Sequence, residues 1–217
     1  MMRHKIRCLK NMINKASIDR EVLENHKAYL ERNKLYKGFG YDIDKERDFI
    51  LREAMPLSGN ILEAGTGKGH FALALAKRGY SFVTFDISEE EQRFAKLNIT
   101  YSGLEKQVDF RIENGERISF ANASFDAIFS VNVLHHLANP YQVIDELIRV
   151  LAPGGKLVIG DFSKKGFSVM DKIHALDGKT HEAGKASLLD VEKYLSNKGF
   201  SIKKAKSVYQ HVVVATR

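Results

Sequence analysis

The chain has 217 residues, 44% of them hydrophobic, a net charge of +7 and one cysteine, Cys8. That length suits one compact domain with a modest accessory segment, and a lone cysteine forbids an internal disulfide or a cysteine-built metal site. No apolar run approaches the roughly 18 residues of a membrane span and the N-terminus lacks the apolar core of a secretory leader, so a cytoplasmic protein is expected.

Residues 1–15 carry Arg3, Lys5, Arg7, Lys10 and Lys15 without an acid, five of the seven net positive charges. Such an arm can attract phosphate-bearing partners or an anionic surface, or it can fray in solvent. The nearly balanced remainder argues against a broad nucleic-acid groove. Ser17 to Lys34 is helix-prone, with Ile18, Val22, Leu23, Leu30 and Leu35 offering one apolar stripe. Lys37-Gly38-Phe39-Gly40-Tyr41 interrupts it, and Asp42 to Met55 reads as a second helix capped by Asp42 or Asp44, with Ile43, Phe49, Ile50 and Leu51 inward. Pro56 and Ser58-Gly59 then turn the chain into a strand. Two units follow: residues 1–56 as a basic arm with a helical cap, and 57–217 as the main domain.

The short apolar run Asn60-Ile61-Leu62 is followed by Glu63-Ala64-Gly65-Thr66-Gly67-Lys68-Gly69 and then by a helical pattern from His70 to Arg78. Glycines at such a turn allow positive φ and let a ligand lie against the main chain, where the next helix offers unpaired N–H groups. A dinucleotide turn would need G-x-G-x-x-G, but His70 stands at its third glycine position, which disfavours an NAD enzyme. A Walker-type loop would need Ser or Thr after Lys68, where Gly69 stands. Tyr80 to Asp86 reads as a second strand ending in a carboxylate about 20 residues after the turn, where an acid can accept both ribose hydroxyls of a nucleoside. Asp86 could alternatively cap the helix that starts near Ser88.

The run from Glu63 to Gly69 resembles motif I of the class I S-adenosylmethionine-dependent methyltransferases, with Glu63 in the acidic place. Glu113-Asn114-Gly115-Glu116-Arg117-Ile118-Ser119-Phe120 is similar to the family's D-A-E-x-L-P-F segment. Asn114 replaces the usual aspartate beside the adenine, keeping an acceptor oxygen without the charge. Ser124 to Leu137 resembles the fourth-strand segment ending in l-H-H-l, and Arg149-Val150-Leu151-Ala152-Pro153-Gly154-Gly155 resembles R-V-L-K-P-G-G. These motifs span Asn60 to Asp161 in the family's order. The broad group includes ubiquinone and menaquinone biosynthesis methyltransferases, although the acceptor-side segments do not match that subgroup closely.

The resemblance implies an α/β, Rossmann-like, seven-stranded, mostly parallel sheet with the last strand antiparallel, helices on both faces and the helical cap at the N-terminus. It implies S-adenosyl-L-methionine as cofactor, S-adenosyl-L-homocysteine as product, and Glu63, Gly65, Thr66, Gly67, Gly69, Asp86, Ile87, Asn114, Gly115, Val131 and Asn132 as the cofactor site. Ligands of open α/β sheets lie beyond the carboxyl ends of the strands. Acceptor candidates there are Tyr36, Tyr41, His136, Asp161 and His174, with His181 and His136 as candidate proton acceptors. No metal site is expected, since His174 and His181-Glu182 fit no zinc spacing. Phe162 to Ala186 reads as a long connection with turns at Lys164-Lys165-Gly166 and Asp177-Gly178-Lys179, of the sort that forms lids. Ser187 to Leu195 reads as a helix that Ser187 and Asp190 cap, and Phe200 to Ala205 and Tyr209 to Ala215 as the last strands. A small molecule is the expected methyl acceptor. A nucleic-acid methyltransferase is the weaker enzyme alternative, since Val131-Asn132-Val133-Leu134 replaces the N-P-P-Y type signature. A non-catalytic cofactor-binding or scaffolding subunit is the reading from another class.

Overall fold

The computed structural model describes residues 19–178 and 184–217. The basic arm, Cys8 and His181 lie outside them. Helices α1 (Arg20–Gly38) and α2 (Ile43–Ala54) precede β1 (Ile61–Ala64), α3 (His70–Lys77), β2 (Phe82–Asp86), α4 (Glu89–Tyr101) and β3 (Val108–Ile112). Then follow β4 (Phe125–Val131), α5 (Pro140–Val150), β5 (Leu151–Phe162), α6 (Lys164–Leu176), α7 (Leu188–Asn197), β6 (Ser201–Lys206) and β7 (Gln210–Thr216). The seven strands form one sheet in the order β3-β2-β1-β4-β5-β7-β6. Strands β1 to β5 pair in parallel, and β7 runs antiparallel to both β5 and β6. The expected Rossmann-like sheet with an antiparallel last strand is therefore the fold.

Strand β1 is buried along its whole length, as a central parallel strand covered on both faces must be. One face carries Leu62, Ile128, Leu157 and Val213 against α5 and α7; the other carries Ile61, Ala127, Phe129 and Val158 against α2 and α3. Helix α5 has Val143, Ile144, Leu147 and Val150 on one side, at the spacing that lays an apolar stripe on a sheet. Asp42 caps α2, and Ser187 with Asp190 forms a reciprocal capping box on α7, as expected, whereas α4 is capped by Ser88 and not by Asp86.

Three expectations need correction. Lys164-Lys165-Gly166 is not a turn but the first turn of α6, capped by the Ser163 hydroxyl. Gly166 reads as a breaker, yet a Cβ there would lie 2.4 Å from the Tyr209 carbonyl oxygen, so glycine is there for close packing. The apolar stripe of α1 is also weaker than its residues promise: Val22 is buried, while Leu23 and Leu30 are exposed. That helix is held on α4 largely by polar and ring contacts, with the Asn25 Nδ2 donating to Asn98 Oδ1 at 2.9 Å, Arg93 paired with Glu21, and the His26 ring stacked 3.5 Å from Tyr101. Finally, β2 starts at Phe82 and β6 at Ser201, each later than the apolar pattern suggested.

Strand β6 forms one edge of the sheet and carries Lys203, Lys204 and Lys206. Lys203 pairs with Glu53 and Lys204 with Glu192. Among the described residues, no helix is long and apolar enough to cross a membrane. Leu147→Ala, which empties a fully buried position between α5 and the sheet, is expected to cost about 2–5 kcal/mol, read as a lower urea midpoint at unchanged m-value.

Candidate functional site

The turn after β1 is tied to β2 by backbone alone: Gly65 N and Thr66 N both donate to the Phe85 carbonyl, at 2.9 and 3.0 Å. This brings Gly65–Gly69 beside Asp86 at the carboxyl end of β2. The Asp86 carboxylate accepts from Gly67 N at 2.7 Å and from Ser88 N at 2.9 Å, so it clamps the turn and also steadies the entry to α4. The three turn glycines do different work. A Cβ on Gly65 would lie 2.3 Å from Val133 Cγ2, and one on Gly69 would lie 2.6 Å from Ala95 Cβ; both permit close packing at positive φ. Gly67, at φ +49°, would meet no atom within 4 Å, so its face of the turn looks onto open space.

Beneath the turn lies a chain of buried polar groups. Gln92 Nε2 donates to the Arg111 carbonyl at 2.9 Å and to Thr66 Oγ1 at 3.3 Å. Thr66 Oγ1 is 2.6 Å from Thr84 Oγ1, which donates to Glu63 Oε2 at 2.6 Å. Glu63 is only 1% exposed. Burial pushes its carboxyl up to about 8, opposed by the Thr84 hydroxyl and Arg47 and reinforced by Asp86. The sequence reading named Glu63 and Thr66, but it missed Thr84 and Gln92, which had no signature beyond a polar residue inside an otherwise apolar strand or helix face.

Ile87 follows Asp86 with its side chain 70% exposed, and Ile112 at the end of β3 is exposed too, giving an apolar surface beside the carboxylate. Asn114 Oδ1 accepts from Glu116 N at 3.0 Å, shaping the turn that carries Gly115, which packs on Val143 and Phe85. Glu116 itself accepts from Asn139 Nδ2 at 3.0 Å. Val131 ends β4, and Asn132 beyond it adopts φ +58°, a left-handed conformation that asparagine tolerates better than most residues.

The acceptor-side candidates occupy different environments. Asp161, at the end of β5, is buried and accepts from Phe162 N at 2.8 Å, while its Oδ1 lies 2.7 Å from His135 Nδ1. An ionised carboxylate can only accept, so Nδ1 is the donor in this contact. The neighbouring His136 is exposed, its ring 4.0 Å from that of His135. Tyr41 is buried in the third apolar cluster with Ile43, Val169, Met170 and Ile173, and Tyr36 packs against that cluster from α1. His174 is half-buried on α6, and His181 lies outside the described residues. The structure thus brings Glu63, the turn glycines, Asp86 and Asn132 together along the carboxyl edge of the sheet, with the His135–Asp161 pair at the ends of β4 and β5.

Residues 62–159 match the methyltransferase domain family. A ubiquinone biosynthesis O-methyltransferase of Xylella fastidiosa (strain 9a5c) is 34% identical over 119 residues, 54% of this chain and 47% of that protein. A ubiquinone/menaquinone biosynthesis C-methyltransferase of Geotalea daltonii is 30% identical over 139 residues, 63% of this chain and 59% of that protein. The chain spans about half the length of these curated relatives. Among solved structures, a SAM-dependent methyltransferase from Aquifex aeolicus superposes with a TM-score of 0.61 at 23% identity, over 78% of this chain and 88% of that one. The [4+2]-cyclase SpnF superposes at 0.63 and 17% identity, over 80% and 81% of the two chains. These likenesses show the fold.

The state of Glu63 has a measurable consequence. Its folded pKa lies above the unfolded one, so the folded protein binds the extra proton between about pH 4.5 and 8. The ligand-free protein should therefore be most stable, as far as this group is concerned, below that window and lose stability as pH rises through it. Glu63→Gln should flatten this decline, by on the order of a few kcal/mol at its upper end, in urea melts taken at successive pH values.

Proposed function

We propose, from the match of residues 62–159 to the methyltransferase domain family, that the chain binds S-adenosyl-L-methionine and methylates a small molecule. One observation carries the reading: the Gly67 face of the turn looks onto open space beside the Asp86 carboxylate. The residues fit the cofactor chemically. Backbone of the Gly65–Gly69 turn would lie against it, Asp86 would accept from ribose hydroxyls, Ile87 would cover an adenine face, and Gly115 with Asn114 would border its edge. Glu63 would face a cationic group, whose charge would favour the ionised form that burial disfavours.

Bound there, the cofactor would supply an electrophilic methyl group on a sulfonium, so the protein needs no nucleophile of its own. What the chain must do is align an acceptor and manage its proton. His135 is the group we assign to the proton. Asp161 would hold the Nδ1 side of the ring, and an acceptor hydroxyl would pass its proton to the imidazole as its oxygen takes the methyl. The donor would give up its methyl and keep the sulfur–methyl electron pair, and Asp161 would steady the imidazolium formed on His135. In His135 the orienting carboxylate is Asp161; His136 and His181, the candidates named from sequence, stand as proposals beside it. The aromatic rings of Phe162 and Phe167, 5.6 and 5.2 Å from His135, give the surroundings an apolar character suited to an aromatic or lipid-like acceptor.

Titration calorimetry with S-adenosyl-L-homocysteine and NAD tests the cofactor. Micromolar binding of the sulfur nucleoside without NAD is expected, and binding of neither would leave the scaffold reading in its place. Asp86→Ala should weaken nucleoside binding by about 1–3 kcal/mol through lost charge-assisted hydrogen bonds. His135→Gln should leave nucleoside affinity unchanged and lower single-turnover methyl transfer to a hydroxyl acceptor about 100-fold or more. Full activity in that variant would remove His135 from the chemistry.

A further inference from the structure

Strand β7 runs antiparallel to β5, with Asp161 opposite His211 and Phe162 opposite Gln210. The turn that leads into β7, residues 207–209, therefore sits at the carboxyl end of β5, on the edge of the sheet that carries the site. It is tied down from two sides. Ser163 N donates to the Tyr209 carbonyl at 2.9 Å, and the Ser163 hydroxyl donates to the Val208 carbonyl at 2.8 Å. From the cap, Gly40 comes so close that a Cβ on it would lie 2.7 Å from the Tyr209 hydroxyl oxygen. These contacts set three tips side by side: the turn between α1 and α2, the turn before β7, and the start of α6.

The rim they form is apolar at its points and basic around them. Phe39 is 36% exposed and Val208 58%. Lys164, Lys165 and Lys206 are exposed and, among the described residues, form no ion pair; Lys165 Nζ lies 5.3 Å from the centre of the Tyr209 ring. Lys37 stands near Phe39, paired with Asp42. A single exposed apolar side chain needs no explanation. Two on adjoining turns, ringed by unpaired ammonium groups on long apolar stems, suit the boundary between lipid headgroups and acyl chains. Two turn tips also offer far less apolar area than the roughly 800 Å² per partner of a standard protein interface. We propose that this rim docks on an anionic lipid surface, with Phe39 and Val208 at headgroup depth and Lys164, Lys165 and Lys206 facing the lipid phosphates. Inward from the rim, the Phe162 ring is 5.9 Å from Tyr41 and 5.5 Å from Phe167, and both phenylalanines border His135. A lipid-like acceptor would pass along these rings to the base. That passage rests on the methyl-transfer reading above; the docking does not.

The test is co-sedimentation of the full chain with vesicles of phosphatidylcholine alone and with phosphatidylglycerol added. Binding is expected only with phosphatidylglycerol, and it should weaken as salt rises. Lys164→Gln combined with Lys165→Gln should lower it about 10- to 30-fold and Phe39→Ser about 10-fold, each at an unchanged urea midpoint. Undiminished binding in these variants would assign the vesicle contact to the basic residues from Arg3 to Lys15. A loss in the lysine variant without one in Phe39→Ser would mean an acidic macromolecule rather than a bilayer. Either result overturns the proposal, as does equal binding to both kinds of vesicle or binding to neither. Anionic-vesicle binding by a protein that takes up no S-adenosyl-L-homocysteine in calorimetry would remove the donor reading and leave the docking surface standing.

Discussion

The Phe85 carbonyl, accepting from two successive N–H groups of the turn after β1, is the contact on which the site is built. It forces the turn to fold back onto the neighbouring strand before it enters α3. Only glycine permits that path at Gly65 and Gly69, where Val133 and Ala95 leave no room for a side chain. Once the turn is fixed, Gly67 N must point at Asp86, and Thr66 must meet Thr84. The Asp86 side and the Glu63 side of the turn are therefore not placed independently. A single backbone constraint sets both, and the hydroxyl chain from Gln92 to Glu63 runs beneath it.

Much of this was legible from residue types. Glycine at alternate positions, an acid at the end of the next strand, and capping residues at Asp42, Ser88 and Ser187 each carry a local mechanism, so their reading needs no tertiary information. What could not be read is what arises between distant elements. His135 and Asp161 are separated by a whole helix and strand, and only the parallel pairing of β4 with β5 brings their strand ends together. The two histidines of the pair His135-His136 are indistinguishable by sequence pattern, and burial separates them. Arg47 reads as one more charge on an amphipathic helix; its burial depends on α2 lying across β7 and the end of β4. Lys164-Lys165-Gly166 misleads for the opposite reason, because a glycine needed for contact with the Tyr209 carbonyl looks like one needed for a bend.

The site places opposite demands on one dielectric region. Glu63, Arg47 and the His135–Asp161 pair are all shielded from water, which strengthens every interaction a ligand makes with them and destabilises the empty fold. The cap contributes to this shielding through Tyr41 and Arg47, while α6 closes the same end through Val169, Met170 and Ile173. Two segments distant in sequence thus share one small cluster, so seating of the cap and of α6 is coupled. The SpnF likeness shows that this fold also hosts a reaction of another kind. The chemistry must accordingly be argued from groups such as His135 rather than from the sheet.

The edges of the sheet bear on how copies of this chain can meet. Lys203, Lys204 and Lys206 on β6, and Asp109 with Arg111 on β3, put charge along both outer strands. A second molecule adding its own strand there would have to strip water from these ammonium, guanidinium and carboxylate groups and break the pairs with Glu53 and Glu192. The sheet is thereby closed to lateral growth, which guards a chain rich in Val and Ile strands such as β7 against fibre-like stacking at high concentration.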